Sequence, residues 1–241
     1  MAMTMRILNV TPDSFWEPGR GDLSVLESGA DIVDIGAVST RPGAPDVSPE
    51  EEWSRLEPAL RRVNELRASG TAVPAISIDT FRSDIVRRAY DIIGRFVVND
   101  ISAGEDDPEM LPLVGSLGLP FIAMHKRGTP STMDTLCDYS EYSTDPGSSG
   151  VIGALLDYFR QFDRKAASYG IEEWFLDPGL GFAKTPEQCW EILLHLDELS
   201  AIGRPMLVGY AEKRFTRTVP DGSALAFGLS LAGGAAILRL H

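Results

Sequence analysis

The chain has 241 residues, 44% hydrophobic and 24% charged, which argues against disorder and leaves room for one large core. Its 35 acids outnumber 22 bases, for a formal net charge of −13, and this argues against nucleic acid, whose phosphates need a basic footprint. No apolar run reaches the roughly 18 residues of a membrane helix. The first ten residues, MAMTMRILNV, are too short and too weakly basic for a secretory leader. A cytoplasmic protein with no membrane partner is expected, and Cys137 and Cys189, which lack any metal spacing, read as plain thiols of a reducing compartment.

Short runs rich in Val, Ile and Leu alternate with helical patterns along the chain. A strand over 5–10 is followed by LSVLESG (23–29), the one helical stretch before a strand over 31–36. A helix over 50–68 starts at Pro49 with Glu50, Glu51 and Glu52, read as a solvated helix start, and Trp53, Leu56 and Leu60 line its core face. Then come a strand over 72–79, a helix over 81–93, a strand over 96–100, a helix over 109–117 and a strand over 120–125. The polar stretch 126–149 reads as a long, mobile loop. A helix over 150–169, a strand over 172–179, a helix over 186–201 carrying His195, a strand over 205–210, a helix over 224–234 and a strand over 235–241 complete the chain.

The strands are mostly continuous in apolarity, as strands covered on both faces are. Eight of them in βα alternation predict an α/β fold, a (β/α)8 TIM barrel forming a single domain over 1–241. Its first helix is shortened and no eighth helix follows the last strand, so either the chain is trimmed or another element or subunit covers those faces. An open doubly wound sheet is the alternative, but no GxGxxG follows the first strand.

In a parallel barrel, chemistry collects at the C-terminal strand ends. Here Asn9 ends the first strand and Thr11-Pro12-Asp13-Ser14 follows, while the second leads into Ser39-Thr40-Arg41-Pro42-Gly43. Asp79, Asn99-Asp100, Met124-His125 and Asp177 end the next four, Lys213 follows the seventh, and Arg239 and His241 lie in the eighth. Helix capping explains some Asp, Asn and Ser at such places. It explains Asp177 poorly, because Pro178 and Gly179 follow it, and it does not explain all eight ends together. Asp79, Asp177, Asn99 and Lys213 suit a flat heterocycle such as a pterin or guanine. A carboxylate accepts two parallel N–H bonds from an amidine-like edge, and an ammonium meets a ring carbonyl. Arg41, Arg239 and His241, with Ser39 and Thr40, form a donor set for phosphate oxygens. His125 reads as a packing residue more than as a site residue, and His195 as a surface or packing histidine.

These segments resemble the pterin-binding dihydropteroate synthase family. ILNVTPDSF (7–15), DIGAVSTRPGA (34–44), SIDT (77–80), VND (98–100), MHKRGTPSTM (124–133), FLDPGLGFAKT (175–185), LVGYAEKRF (207–215) and RLH (239–241) occur in the family's order over nearly the whole chain. The resemblance implies condensation of 6-hydroxymethyl-7,8-dihydropterin diphosphate with 4-aminobenzoate, giving 7,8-dihydropteroate and diphosphate, in a homodimer. It implies that Asp79, Asn99, Asp177 and Lys213 hold the pterin, with Met124 against the ring. It implies Asn9, Arg41, Arg239 and His241 on the diphosphate, and Asn9 on Mg2+. Thr40, Pro42, Phe182 and Lys213 would shape the aminobenzoate pocket, with Asp13 ordering over it. Arg41, Asp79, Asp177 and Lys213 would be the catalytic set.

Two places depart from the family pattern. Ala211-Glu212-Lys213-Arg214 replaces the usual Ser-Arg-Lys-Ser, and Ala37-Val38 replaces Gly-Glu. Two alternatives stay open on these residues: a pterin-dependent methyltransferase domain, and a pterin-binding relative without catalysis.

Overall fold

The computed structural model describes residues 2–11, 22–38, 46–129, 131–143 and 149–240. The strands are β1 (Met3–Asn9), β2 (Ile32–Gly36), β3 (Ala75–Asp79), β4 (Val97–Asp100), β5 (Phe121–Met124), β6 (Trp174–Asp177), β7 (Leu207–Gly209) and β8 (Ile237–Leu240). They are parallel, in the order β6-β5-β4-β3-β2-β1-β8-β7. The two ends of that order, β6 and β7, meet through a parallel bridge from Leu176 to Met206, with the Leu176 N–H donating to the Pro205 carbonyl at 3.0 Å. The sheet is thus a nearly closed eight-stranded barrel, as the alternation predicts.

Several predicted strands are shorter in the structure for a covalent reason. Pairing in β3 starts after Pro74, which has no N–H to give, and β6 stops at Pro178. The helices are α1 (Pro49–Ala68), α2 (Ser83–Ile93), α3 (Met110–Leu117), α4 (Val151–Ser168), α5 (Pro186–Leu194), α6 (Leu196–Leu199) and α7 (Gly222–Ala232). Side-chain caps start two of them. The Ser48 hydroxyl accepts the Glu51 N–H at 3.2 Å, and Thr185 forms a reciprocal capping box with Gln188. The predicted helix over 186–201 breaks at His195 (φ −122°), which lets Leu193, Leu196 and Leu199 all turn into the core. His195 itself is exposed beside Glu198 at 2.9 Å. Between β1 and β2 the described residues form only a 3-10 turn, Leu23–Glu27, anchored by the fully buried Leu26.

Met5, Ile32, Ile122, Leu207 and Ile237 meet as an apolar plug inside the barrel. A larger apolar layer, including Leu56, Leu60, Ile78, Ile85 and Val98, fills the space between sheet and helices. Trp53 lies at its margin, under the Arg88 guanidinium at 4.9 Å.

Two expectations are corrected. Glu52 is not solvated: it is 1% exposed, accepts the Thr80 hydroxyl at 2.6 Å and pairs with Arg82. Arg82 also donates to the Val47 carbonyl at 2.6 Å, so α1, β3 and the approach to α1 are tied at one buried carboxylate. The region after β5 is packed where it is described. Met133 and Tyr139 are buried, and Arg127 lies 4.0 Å over the Tyr139 ring.

Arg82→Ala leaves the Glu52 carboxylate buried without its cation, and the expected cost is about 3 kcal/mol of unfolding free energy. Urea unfolding measures it, and an unchanged midpoint would refute the role given to the pair.

Candidate active site

Strand pleating sends alternate residues into a barrel. On β2 the inward series runs Ile32, Asp34, Gly36; on β3 it reaches Ser77 and Asp79, on β4 Asn99, and on β8 Ile237 and Arg239. Contacts across the lumen bear this out. Asp34 accepts the Ser77 hydroxyl at 2.6 Å, the Asn99 Nδ2 at 3.0 Å and the Arg239 Nε at 2.7 Å. Arg239 Nη2 reaches the Asp79 carboxylate at 2.9 Å. The Ser77 bond runs between the paired strands β2 and β3, but β2 shares no ladder with β4 or β8, nor β3 with β8, so the other three bonds tie strands that do not pair.

Asp34 is fully buried, and the sequence analysis did not single it out. The available signal was a carboxylate in mid-strand, in DIVDIG, since a charge in such a place is almost never buried without partners. Asn99 is also fixed by it. With Nδ2 given to Asp34, its Oδ1 is the atom suited to a ligand N–H. Bare Gly36 lets the rim close up. A Cβ there would lie 3.4 Å from the Asp79 Cβ and 3.8 Å from the Asn9 Oδ1, which places Asn9 and Asp79 side by side.

The opposite rim is built by the β6 end and the loop after it. Asp177 pairs in register with Met124 of β5 and accepts the Gly179 N–H at 2.8 Å. Gly179 has φ +65°, and a Cβ there would sit 2.1 Å from the His125 carbonyl, so only glycine fits. Lys213 donates to the Leu180 carbonyl at 2.5 Å and lies 4.8 Å over the Phe182 ring. Burial lifts the Asp177 carboxyl above its usual range, opposed by the charges of Lys213 and Arg239. Lys213 is lowered by burial, against the pull of Asp177. Arg239 acts on Asp79 and Asp177 alike, so both rims share one field.

The structure therefore brings Asn9, Asp79, Asn99, Met124, Asp177, Phe182, Lys213 and Arg239 to one end of the barrel. Arg239 differs from expectation in its partners: two of its N–H donors already serve carboxylates. Asp100, also a strand-end acid, is a turn cap bonded to Ser102 and Gly104. Asp13, Thr40, Arg41, Pro42 and His241 lie outside the described residues. Among the described residues no group of three or more His, Cys, Asp or Glu could hold a metal ion.

Burial and the nearby Asp34 charge push Asp79 up to about 7 from an ordinary value of 3.8, with Arg239 opposing. Between those values the folded protein keeps a proton that the unfolded chain releases. The Asp79 contribution to stability thus falls as pH rises from about 4 to about 7 and is level above, by at most about 1.4 kcal/mol per pH unit. Asp79→Asn is expected to flatten this part of the pH–stability curve in urea titrations, and an unaltered slope would count against the shift.

Comparison with known proteins agrees with this geometry. The family described as "Pterin binding enzyme" matches residues 5–241. The chain is 38% identical over 257 residues to a dihydropteroate synthase of Synechocystis sp., covering 98% of this chain and 84% of that one. A solved dihydropteroate synthase of Xanthomonas albilineans with 4-aminobenzoic acid superposes with TM-score 0.81 at 31% identity, covering 100% of this chain and 87% of that one. A Yersinia pestis dihydropteroate synthase solved in a sulfonamide drug complex gives TM-score 0.82 at 29% identity, covering 100% and 88%. The chain belongs to the pterin-binding enzyme family. The activity that goes with this fold and these relatives is dihydropteroate synthesis, a transferase step of folate synthesis.

Proposed function

We propose that this rim joins 6-hydroxymethyl-7,8-dihydropterin diphosphate to 4-aminobenzoate. The C–O bond to diphosphate breaks, a C–N bond to the amine forms, and the amine releases one proton to solvent. The observation that carries this reading is the gathering of Asp79, Asn99, Asp177, Lys213 and Arg239 on one barrel end in a chain of this family.

Asp177 accepts the paired N–H groups of the pterin edge, while Gly179 holds its Oδ1. Asn99 accepts a ring N–H through Oδ1, and the Lys213 ammonium meets the ring carbonyl side. Met124 backs the ring, and Phe182 under Lys213 forms a wall for the aromatic amine. Asp34, Asp79 and Asp177 face Arg239 and Lys213, so the acids outnumber the bases when all are ionised. That balance favours the methylene carbon as it becomes electron-poor. No enzyme nucleophile is needed. Arg239, with Arg41 and His241, offers its remaining donors and its charge to the leaving diphosphate, and Thr40, Pro42 and Asp13 complete the aminobenzoate side.

Mg2+ suits a donor set in which Asn9 is the protein oxygen, because this ion keeps waters and binds largely through substrate phosphates. When bound it would offset the charge of the departing diphosphate.

A homodimer is part of the same reading. Helix α7 turns the small residues Gly222, Ala226 and Ser230 to the barrel and leaves Leu225, Phe227 and Leu231 at least 43% exposed. Exposed apolar surface of this kind marks contact sites. Sedimentation at a single-chain mass would overturn it. A cytoplasmic place accords with the free thiols of Cys137 and Cys189, and cell fractionation tests it.

Purified protein with both substrates and Mg2+ is expected to release dihydropteroate and diphosphate in equal amounts, and a sulfonamide is expected to compete with 4-aminobenzoate. Asp177→Asn is expected to lower turnover by about a hundredfold or more, since the amide presents donors where the ligand also donates. Pterin binding without any product would overturn the reading.

A further inference from the structure

The loop after β6 is tied to the end of β5 by a lysine that the sequence analysis passed over. Lys184 is 7% exposed, and its Nζ donates to the Phe182 carbonyl at 2.9 Å, to His125 Nδ1 at 2.9 Å and to the His125 carbonyl at 3.3 Å. Burial lowers Lys184 to about 7, and in its ammonium form the three donors meet three acceptors. Donation into Nδ1 puts the His125 proton on Nε2. Burial and the Lys184 charge hold this imidazole well below its ordinary pKa, so it stays a neutral acceptor. His125 is 4% exposed and wedged edge-on against Tyr158, with ring centroids 4.9 Å apart.

The loop needs such a tie. Ala183 sits at φ +50°, a conformation that costs a non-glycine residue about 1 kcal/mol or more and persists only when its surroundings impose it. The Tyr139 hydroxyl holds the Ala183 carbonyl at 2.9 Å from one side, and Lys184 holds the Phe182 carbonyl from the other. Met124, by contrast, is fixed by the sheet, with the next N–H, that of His125, donating to the Asp177 backbone carbonyl at 3.0 Å. Phe182 has one loop backbone bond, its N–H to the Gly179 carbonyl at 3.0 Å.

We propose that Lys184 is a positioning residue for the aromatic amine: through its bonds to His125 and Phe182 it sets the place of the Phe182 ring relative to Met124. This rests on the reading that the rim takes a dihydropterin and 4-aminobenzoate. Lys184→Met removes all three donors at similar volume. It is expected to raise KM for 4-aminobenzoate about tenfold, with KM for the pterin diphosphate and kcat within about threefold of wild type; tenfold corresponds to about 1.4 kcal/mol. His125→Leu, which removes the Nδ1 acceptor, is expected to shift the same KM in the same direction, and His125→Asn, whose Oδ1 can stand near Nδ1, to restore it. Unchanged aminobenzoate KM in folded Lys184→Met, or equal shifts in both KM values and kcat, overturns the proposal. If Lys184→Met does not fold, the His125 pair decides: rescue by Asn supports it, and identical Leu and Asn variants overturn it. A wild-type protein that makes no dihydropteroate overturns the functional reading and this inference together. An active wild type matched by Lys184→Met overturns this inference alone.

Discussion

The ion pair between Asp34 and Arg239 is the interaction on which the mouth of this barrel depends. A carboxylate with no exposed surface costs several kcal/mol to desolvate, and that cost is offset only when its oxygens are fully bonded. Asp34 achieves this with donors from three other strands: Ser77 of β3, Asn99 of β4 and Arg239 of β8. The same bonds orient the ligand-facing groups. Asn99 is turned by its amide, and Arg239 is aimed so that its second nitrogen holds Asp79. One buried charge below the rim thus presets the polar surface above it, before any substrate arrives.

The other rim is organised by backbone rather than by a buried acid. Gly179 allows the chain to turn within contact of the His125 carbonyl, and the turn brings the Leu180 carbonyl to Lys213. Lys213 then lies over the Phe182 ring and within the field of the Asp177 charge. The two rims differ in stiffness for this reason. Strand-borne groups such as Asp79 and Met124 are held by ladders, while Phe182 depends on the bond from Lys184 to its carbonyl within its own loop. A barrel with this division can keep its strand-borne groups in place while the Phe182 side responds to single substitutions.

One of the two departures from the family pattern, Ala211-Glu212-Lys213-Arg214, falls on the looser rim. Glu212 adopts φ +58° just before Lys213, and Arg214, in place of a serine, reaches Asp134 of the segment after β5 at 3.7 Å. Both ends of that pair are well exposed, so it adds little stability but joins two segments bordering the site. The other departure, Ala37-Val38, directly follows β2, and Ala37 is buried there.

The order of elements was legible in the sequence, because apolar runs ended by Pro, Gly and capping residues mark strands and helices locally. Pro49, Thr185-Pro186 and Pro178 fall where elements start or stop. The strand-end residues Asp79, Asn99 and Asp177 were legible as candidates for the same reason: βα alternation by itself implies which strand end faces the chemistry. The partners of Asp34, Glu52 and Lys184 were not legible. Asp34 shows locally only as an acid in mid-strand, Glu52 and Lys184 as ordinary charges, and each is buried by partners 43, 30 and 59 positions away, namely Ser77, Arg82 and His125. The sequence on its own thus determined the barrel and the chemistry of its rim. Only the tertiary structure decided which charges lie beneath that rim, because the pairing of a buried ion depends on which strands become neighbours in space and not on the residues beside it in the chain.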